Sequence, residues 1–254
     1  MGMQNTLLYP TDLTEEQWKH LEPMIPKFQG FGRPLTHQRR RIVDAILYVV
    51  KSSCQWRMLP HDFAPWQTVY GYFRQWRAQG IWQQAHDVLV MEVREASGRK
   101  SNPSAGIIDS QSVKIADQAG ERGFDAGKKV TGRKRHVLVD TLGLILAVIV
   151  TPANVQDRDG ARQLLSFLSH CFSRIRVIWA DGGYAGRLVD WLWRIRTHHR
   201  IRLEIVNRLQ SQRGFQVLRK RWIVERTFGW LMKCRRLRCD YEQLTANSEA
   251  MIHI

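Results

Sequence analysis

Acidic residues are the scarce class in this chain. Only 23 Asp and Glu face 39 Lys and Arg among 254 residues, leaving a net charge of +16. Cysteine is sparse as well: Cys54, Cys171, Cys234 and Cys239 form no Cys-x-x-Cys pair and have no spaced histidines beside them, which argues against a zinc site. Scattered thiols and the lack of a signal peptide fit a reducing cytoplasm. Long apolar runs are missing too. The longest, Leu142 to Val150, is far short of the ~20 residues that cross a bilayer, so no membrane partner is expected. No internal repeat is visible. The hydrophobic content of 44% is ordinary and sufficient for one large domain or two smaller ones.

The basic excess is not evenly spread. From Arg194 to Arg238 fourteen Lys or Arg residues stand against two acids, Glu204 and Glu225. Such a cluster is the footprint of a polyanionic partner, the alternative being a solvated basic face.

Against this background three acids are out of place. Asp109 ends the apolar pair Ile107-Ile108, Asp181 ends Val177-Ile178-Trp179-Ala180, and Glu225 lies inside Trp222-Ile223-Val224-Glu225-Arg226-Thr227-Phe228. A carboxylate beside buried apolar groups is costly unless it is paired or binds a cation. Three hard oxygen donors suit Mg²⁺ or Mn²⁺, and two such ions serve in-line phosphoryl transfer. Each acid also has a structural alternative. Asp109 and Asp181 fit strand-end turns, with Asp181-Gly182-Gly183 a credible turn signal. Glu225 has Arg221 four residues earlier, although with the cation N-terminal that pairing is the weaker orientation. Asp140 reads as a hairpin turn, Asp159 as a helix cap and Asp125 as a loop residue.

The periodicities divide the chain in two. Residues 1–98 read as a small helical, helix-turn-helix-like unit. Thr14-Glu15-Glu16-Gln17 is a capping box for a short helix stopped by Pro23 and Pro26, and further helices are predicted over Thr36–Ser52, Thr68–Gln79 and Trp82–Ala96. Ser97 to Ser104 is a polar linker. Residues 105–254 read as α/β: strands at Gly106–Asp109, His136–Asp140 and Leu144–Val150, a helix from Asp159 to Cys171, and a strand at Val177–Ala180. A helix carrying Leu188, Trp191, Leu192 and Ile195, a strand at Arg202–Val206 and a final long helix with Glu225 complete it. That order is the one of the ribonuclease H-like mixed sheet with flanking helices. In it Asp109 and Asp181 fall on adjacent central strands and Glu225 on a helix against them.

Several segments resemble bacterial insertion-sequence transposases of the DDE type, with the insertion-sequence-5 group the best match. They are Ile108-Asp109-Ser110-Gln111-Ser112-Val113-Lys114, the run Asp125 to His136, Thr151 to Asp159, Ala180-Asp181-Gly182-Gly183-Tyr184 and, most specific, Arg221 to Trp230. Leu13 to Trp18 and Cys54-Gln55-Trp56-Arg57-Met58-Leu59-Pro60 are similar to that group's helical N-terminal domain, so the resemblance spans nearly the whole chain.

The resemblance implies a DNA transposase in which Asp109, Asp181 and Glu225 are catalytic and coordinate Mg²⁺ or Mn²⁺ as two ions. It would bind the terminal inverted repeats, cut strands as an endonuclease and join them to target double-stranded DNA, working as a homodimer on DNA in the bacterial cytoplasm at the nucleoid. Arg221 matches the arginine of the Tyr-Arg-Glu-Lys signature, while Leu218 and Met232 replace its tyrosine and lysine beside Lys233. Expected phosphate contacts are Arg221, Arg226, Lys233, Arg235 and Arg236 around the last helix and Arg133, Lys134 and Arg135 at the second strand. Arg74 and Arg77, beside Tyr70 and Gln75, mark Thr68–Gln79 as the candidate groove-reading helix, the alternative being an amphipathic helix with a basic outer face. Trp56, Trp66, Trp76 and Trp82 read as core, the alternative being base-stacking platforms. The chain stops in the apolar, uncapped stretch Ala250 to Ile254, earlier than is usual in the family. Competing readings are a nuclease on the same fold that cuts without joining, and a catalytically silent DNA-binding repressor.

Overall fold

The computed structural model describes residues 9–27, 37–117, 120–171, 174–194, 201–206 and 220–254. The first helix, α1 (Glu15–Leu21), opens on the expected capping box: the Gln17 amide donates to Thr14 Oγ1 and the Thr14 amide to Gln17 Oε1. Three longer helices follow, α2 (Arg39–Ser52), α3 (Trp66–Ala78) and α4 (Ile81–Ala96). The helix predicted from Thr36 begins three residues later, and Thr36 itself lies outside the described residues. Gly80, at φ +70°, makes the left-handed turn between α3 and α4, a conformation that costs glycine little.

Residues 105–254 form a mixed sheet of six strands: β1 (Ala105–Lys114), β2 (Gly123–Asp125), β3 (Val130–Val139), β4 (Ile145–Pro152), β5 (Val177–Ala180) and β6 (Arg202–Ile205). Strand β3 runs antiparallel between β1 on one side and β4 and the short β2 on the other, whereas β1, β5 and β6 are parallel neighbours. The helices α5 (Asp157–Cys171), α6 (Arg187–Arg194), α7 (Arg221–Leu231) and α8 (Thr245–His253) complete this ribonuclease H-like fold. Leu218 and Ile195 lie outside the described residues. The single long final helix predicted around Glu225 is two, α7 and α8, separated by residues 232–244, which include a short helical turn at Arg235–Leu237.

Alternation along the strands builds two cores, one on each face of the sheet. Ile107, Val137 and Val139 pack with α2, α3, α7 and α8, and Ile108, Leu138 and Leu146 pack with α5 and α6. The helical N-terminal residues therefore share a continuous core with one face of the sheet. Among the described residues no helix is long and apolar enough to cross a membrane.

The first strand, expected to end at Asp109, runs on to Lys114, paired residue by residue with β3 from Gly132 to Val139. Within this polar extension Ser110 and Val113 are buried, while Lys114 is exposed. Lys134, Arg135 and His136 on β3 are all buried, and the charges are answered from distant parts of the chain.

Candidate active site

Strand register brings the first two acids together. Ile107 of β1 pairs with Trp179 of β5, and both side chains pack on the α7 side of the sheet. Two residues further along each strand direction, Asp109 and Asp181 are directed to that same face. Helix α7 lies over it, anchored by Ile223, Val224 and Phe228, with Arg221 and Glu225, one turn apart, on the flank beside Val224 and Phe228.

The three carboxylates meet at one cation. Arg221 Nη2 lies 3.7 Å from Asp109 Oδ2, 3.5 Å from Asp181 Oδ2 and 4.0 Å from Glu225 Oε1. Both aspartates use their other oxygen locally: the Ser110 amide donates to Asp109 Oδ1 at 2.7 Å and the Gly183 amide to Asp181 Oδ1 at 2.8 Å. The turn role foreseen for Asp181 is thus real and occupies only one of its two oxygens. Burial pushes the Asp109 carboxyl up to about 6, with the Ser110 hydrogen bond and Arg221 pulling the other way and Asp181 adding to the rise. Beneath the acids the Tyr184 phenol is fully buried, and burial and the nearby charges of Asp109, Asp157 and Asp181 hold it well above its usual range.

Three carboxylates around a single guanidinium leave an excess of negative charge, and hard oxygen donors with surplus charge fit a divalent cation such as Mg²⁺. The fit is in donor type and charge. Among the described residues no three acidic, histidine or cysteine side chains stand close enough together to hold an ion with Arg221 between them.

A second polar cluster borders Asp109. Ser110 Oγ donates to Asp157 at 2.8 Å, Lys128 Nζ donates to the Ser110 carbonyl at 2.9 Å, and Lys134 Nζ pairs with Asp157 at 3.0 Å and Asp125 at 3.3 Å. Lys128 and Asp157 were not singled out from sequence. The signal available was their presence in the family-like runs Asp125–His136 and Thr151–Asp159.

The expected phosphate contacts divide sharply by exposure. Lys233 and Arg235 are exposed, and Arg226 is half-buried, held between the rings of Trp222 and Trp230 with Nη2 on the Leu142 carbonyl at 2.8 Å. Arg133 and Arg135, by contrast, are interior and correct the expectation of a surface clamp. Arg133 donates to the carbonyls of Glu121, Glu242 and Gln243 and to Ser248, and pairs with Asp240 at 3.2 Å. Arg135 donates to the Leu237 carbonyl at 2.7 Å, and burial lowers it to about 10. Lys134 is committed to its two aspartates, and Arg236 is buried against Glu242 at 2.6 Å. These four cations are spent on structure. Arg74 is exposed and Arg77 half-buried on α3. Trp76 and Trp82 are core as expected, while Trp56 and Trp66 are only partly buried against it.

A ribonuclease H-like sheet thus gathers an aspartate on β1, a second just past the end of β5 and a helix-borne glutamate around one arginine. Comparison with known families agrees: residues 100–254 match the model described as transposase DDE domain, and residues 13–86 match that of a putative transposase of the IS4/5 family. The chain belongs to the DDE transposase family, of the bacterial insertion-sequence IS4/5 type. It is 31% identical over 125 residues to a putative transposase for insertion sequence element IS402 of Burkholderia cepacia, covering 44% of this chain and 54% of that one. An uncharacterized 16.2 kDa protein of the same element is 29% identical over 109 residues, covering 40% of this chain and 72% of its own. The chain thus spans about half the length of the IS402 transposase it matches. A Mos1 transposase paired-end complex with left transposon end aligns with 88% of this chain and 83% of its own, at 12% identity and a TM-score of 0.28.

Proposed function

We propose that the chain is the transposase of an insertion sequence, binding the element's terminal inverted repeats and catalysing strand cleavage and strand transfer into target DNA. The observation that carries this reading is the convergence of Asp109, Asp181 and Glu225 within 4.0 Å of a single nitrogen of Arg221. In this reading the three acids hold two divalent ions, Mg²⁺ or Mn²⁺. Such ions, when bound, activate the attacking oxygen and stabilise the leaving 3′ oxygen of an in-line displacement. Arg221 balances the acids in their absence and turns to the phosphate when DNA is bound. The surface cations Arg226, Lys233 and Arg235 supply backbone contacts, and Lys128 adds an ammonium beside Asp109. In cleavage water attacks the phosphodiester; in transfer the freed 3′-hydroxyl attacks the target, so one site serves both steps.

Residues 1–98 serve as the end-binding unit, with Arg74 and Arg77 on α3, and residues 105–254 as the catalytic unit. Pairing two ends requires a homodimer on DNA, acting in the cytoplasm at the nucleoid. The test is a joining assay with pre-cleaved element ends, a target plasmid and Mg²⁺. Covalent joining supports the transposase. Cutting without joining would make the chain a nuclease, and binding without either reaction a repressor.

A further inference from the structure

Where α3 faces the turn that enters α8, a cleft of about 380 Å³ opens between the helical N-terminal residues and the end of the chain. Its walls are aromatic. Trp56 and Tyr70 lie with ring centroids 5.2 Å apart, and Tyr241 on the α8 side is 44% exposed. Arg236 joins the two sides as a strut: its guanidinium lies 5.9 Å from the Trp56 ring and 5.5 Å from that of Tyr241, donates to the Cys54 carbonyl at 3.1 Å and is neutralised by Glu242.

Two further guanidiniums, those of Arg74 and Arg77, line the same cleft, and among the described residues neither has a carboxylate within ion-pair distance. Polar atoms are left over as well. Arg77 Nε and Asn247 Oδ1 are buried and lack a hydrogen-bond partner, and Asn247 as a whole is only 4% exposed. Burying a donor and an acceptor unpaired is costly, so these two atoms, beside two guanidiniums with no carboxylate partner, are the groups a polar, anionic ligand would satisfy.

The ligand's chemistry follows from what each part lacks. A bare anion would satisfy the guanidiniums and leave the aromatic faces and the Asn247 carbonyl unused. An apolar group would do the reverse. A flat aromatic ring bearing both donors and acceptors, attached to an anion, satisfies all of them. We propose that this cleft holds a single unstacked nucleotide, its base against Tyr241 and the Trp56–Tyr70 wall and its phosphate on Arg74. The inference deepens the reading of the chain as a DNA-acting enzyme and rests on it for the ligand's source: a nucleotide extruded from a duplex, with a free nucleotide as the other source of the same chemistry. Base stacking on aromatic side chains, together with a guanidinium on the phosphate, supplies affinity without demanding one sequence.

The test uses the full chain and three probes: a matched labelled duplex, the same duplex with one unpaired nucleotide, and dAMP. The unpaired nucleotide should tighten binding about tenfold. Tyr241→Ala and Arg74→Gln, both at exposed positions, should each remove that gain, with Tyr241→Ala leaving matched-duplex binding within about twofold and Tyr241→Phe restoring the gain. Binding of dAMP that Tyr241→Ala abolishes, without any preference for the unpaired duplex, would support the cleft and assign it to free nucleotides. No preference and no dAMP binding, or a preference that both variants keep, overturns the inference. Glu225→Gln should retain the preference. A wild-type chain that binds and cuts no DNA would sink the DNA-acting reading itself, whereas loss of this preference alone would leave that reading standing.

Discussion

Replacing Arg133 with methionine should unfold the protein more readily and leave its DNA contacts almost untouched. The side chain is fully buried on β3, and its donors satisfy three carbonyls and the Ser248 hydroxyl. Its Asp240 partner, 3.2 Å away, is 2% exposed. Methionine fills much of the volume but takes the ion-pair partner from that carboxylate, which keeps only the Ser248 hydroxyl, the Glu242 amide and the more distant Arg135 charge, and removes the donor from three carbonyls. Breaking a buried pair from one side costs about 3–5 kcal/mol, because an uncompensated charge remains. In a chain of this size each kcal/mol moves the melting temperature by about 2–4 °C, so a fall of about 10 °C is expected. Thermal unfolding followed by circular dichroism measures it. The salt dependence of DNA binding separates the two roles, since a lost phosphate contact lowers the log–log slope by about 0.9. A variant that melts within about 2 °C of wild type while its salt slope falls by about one contact would refute the structural assignment and restore the surface clamp. Asp240→Leu added to Arg133→Met should recover part of the loss, because the stranded charge goes with it.

Two further outcomes follow from the buried polar layer. Burial holds His136 at about 4, below its ordinary 6.5, with Lys134 and Lys128 reinforcing and Asp157 opposing the shift. A histidine depressed in the fold contributes stability fully above the unfolded value and loses it as pH falls from 6.5 towards 4. That amounts to about 2 kcal/mol by pH 5, so denaturant titrations at pH 7.5 and 5 should differ by that much more in wild type than in His136→Asn. Equal pH dependence in the two proteins would contradict it. Gly160 on α5 lies against the same ring: a Cβ there would come 2.1–2.3 Å from three His136 ring atoms. Gly160→Ala should therefore destabilise the protein by about 1–3 kcal/mol despite alanine's better helix propensity, and a stabilised variant would show that the ring moves aside freely.

How much of this was legible in sequence depends on where each charge finds its partner. The three catalytic candidates stood out because they interrupt apolar runs, and alternation from Ile107 and Trp179 carries Asp109 and Asp181 to one face. The capping box at Thr14 and the strand Val177–Ala180 were equally local signals. The buried polar residues Ser110, Arg133, Lys134 and Arg135 were not, because hydropathy assigns such residues to the surface. Their interior position rests on Asp157, Asp240 and the carbonyls of Leu237, Glu242 and Gln243, none of which is near them in the chain. The same distance effect misplaced Arg133, Arg135 and Arg236. A buried cation and a solvated one look alike until the partner is known. The break after α7 at Leu231 was also invisible, because the segment that follows makes contacts far away in the chain, among them Arg135 on the Leu237 carbonyl.

Strand transfer by Asp109→Asn, Asp181→Asn and Glu225→Gln, each assayed with pre-cleaved ends and Mg²⁺, measures whether the three carboxylates act as one site. Each variant should bind end DNA within about threefold of wild type and lose joining by about a thousandfold or more, because residues that act as a unit fail together. A variant that joins ends at the wild-type rate would remove that residue from the site and contradict the central claim.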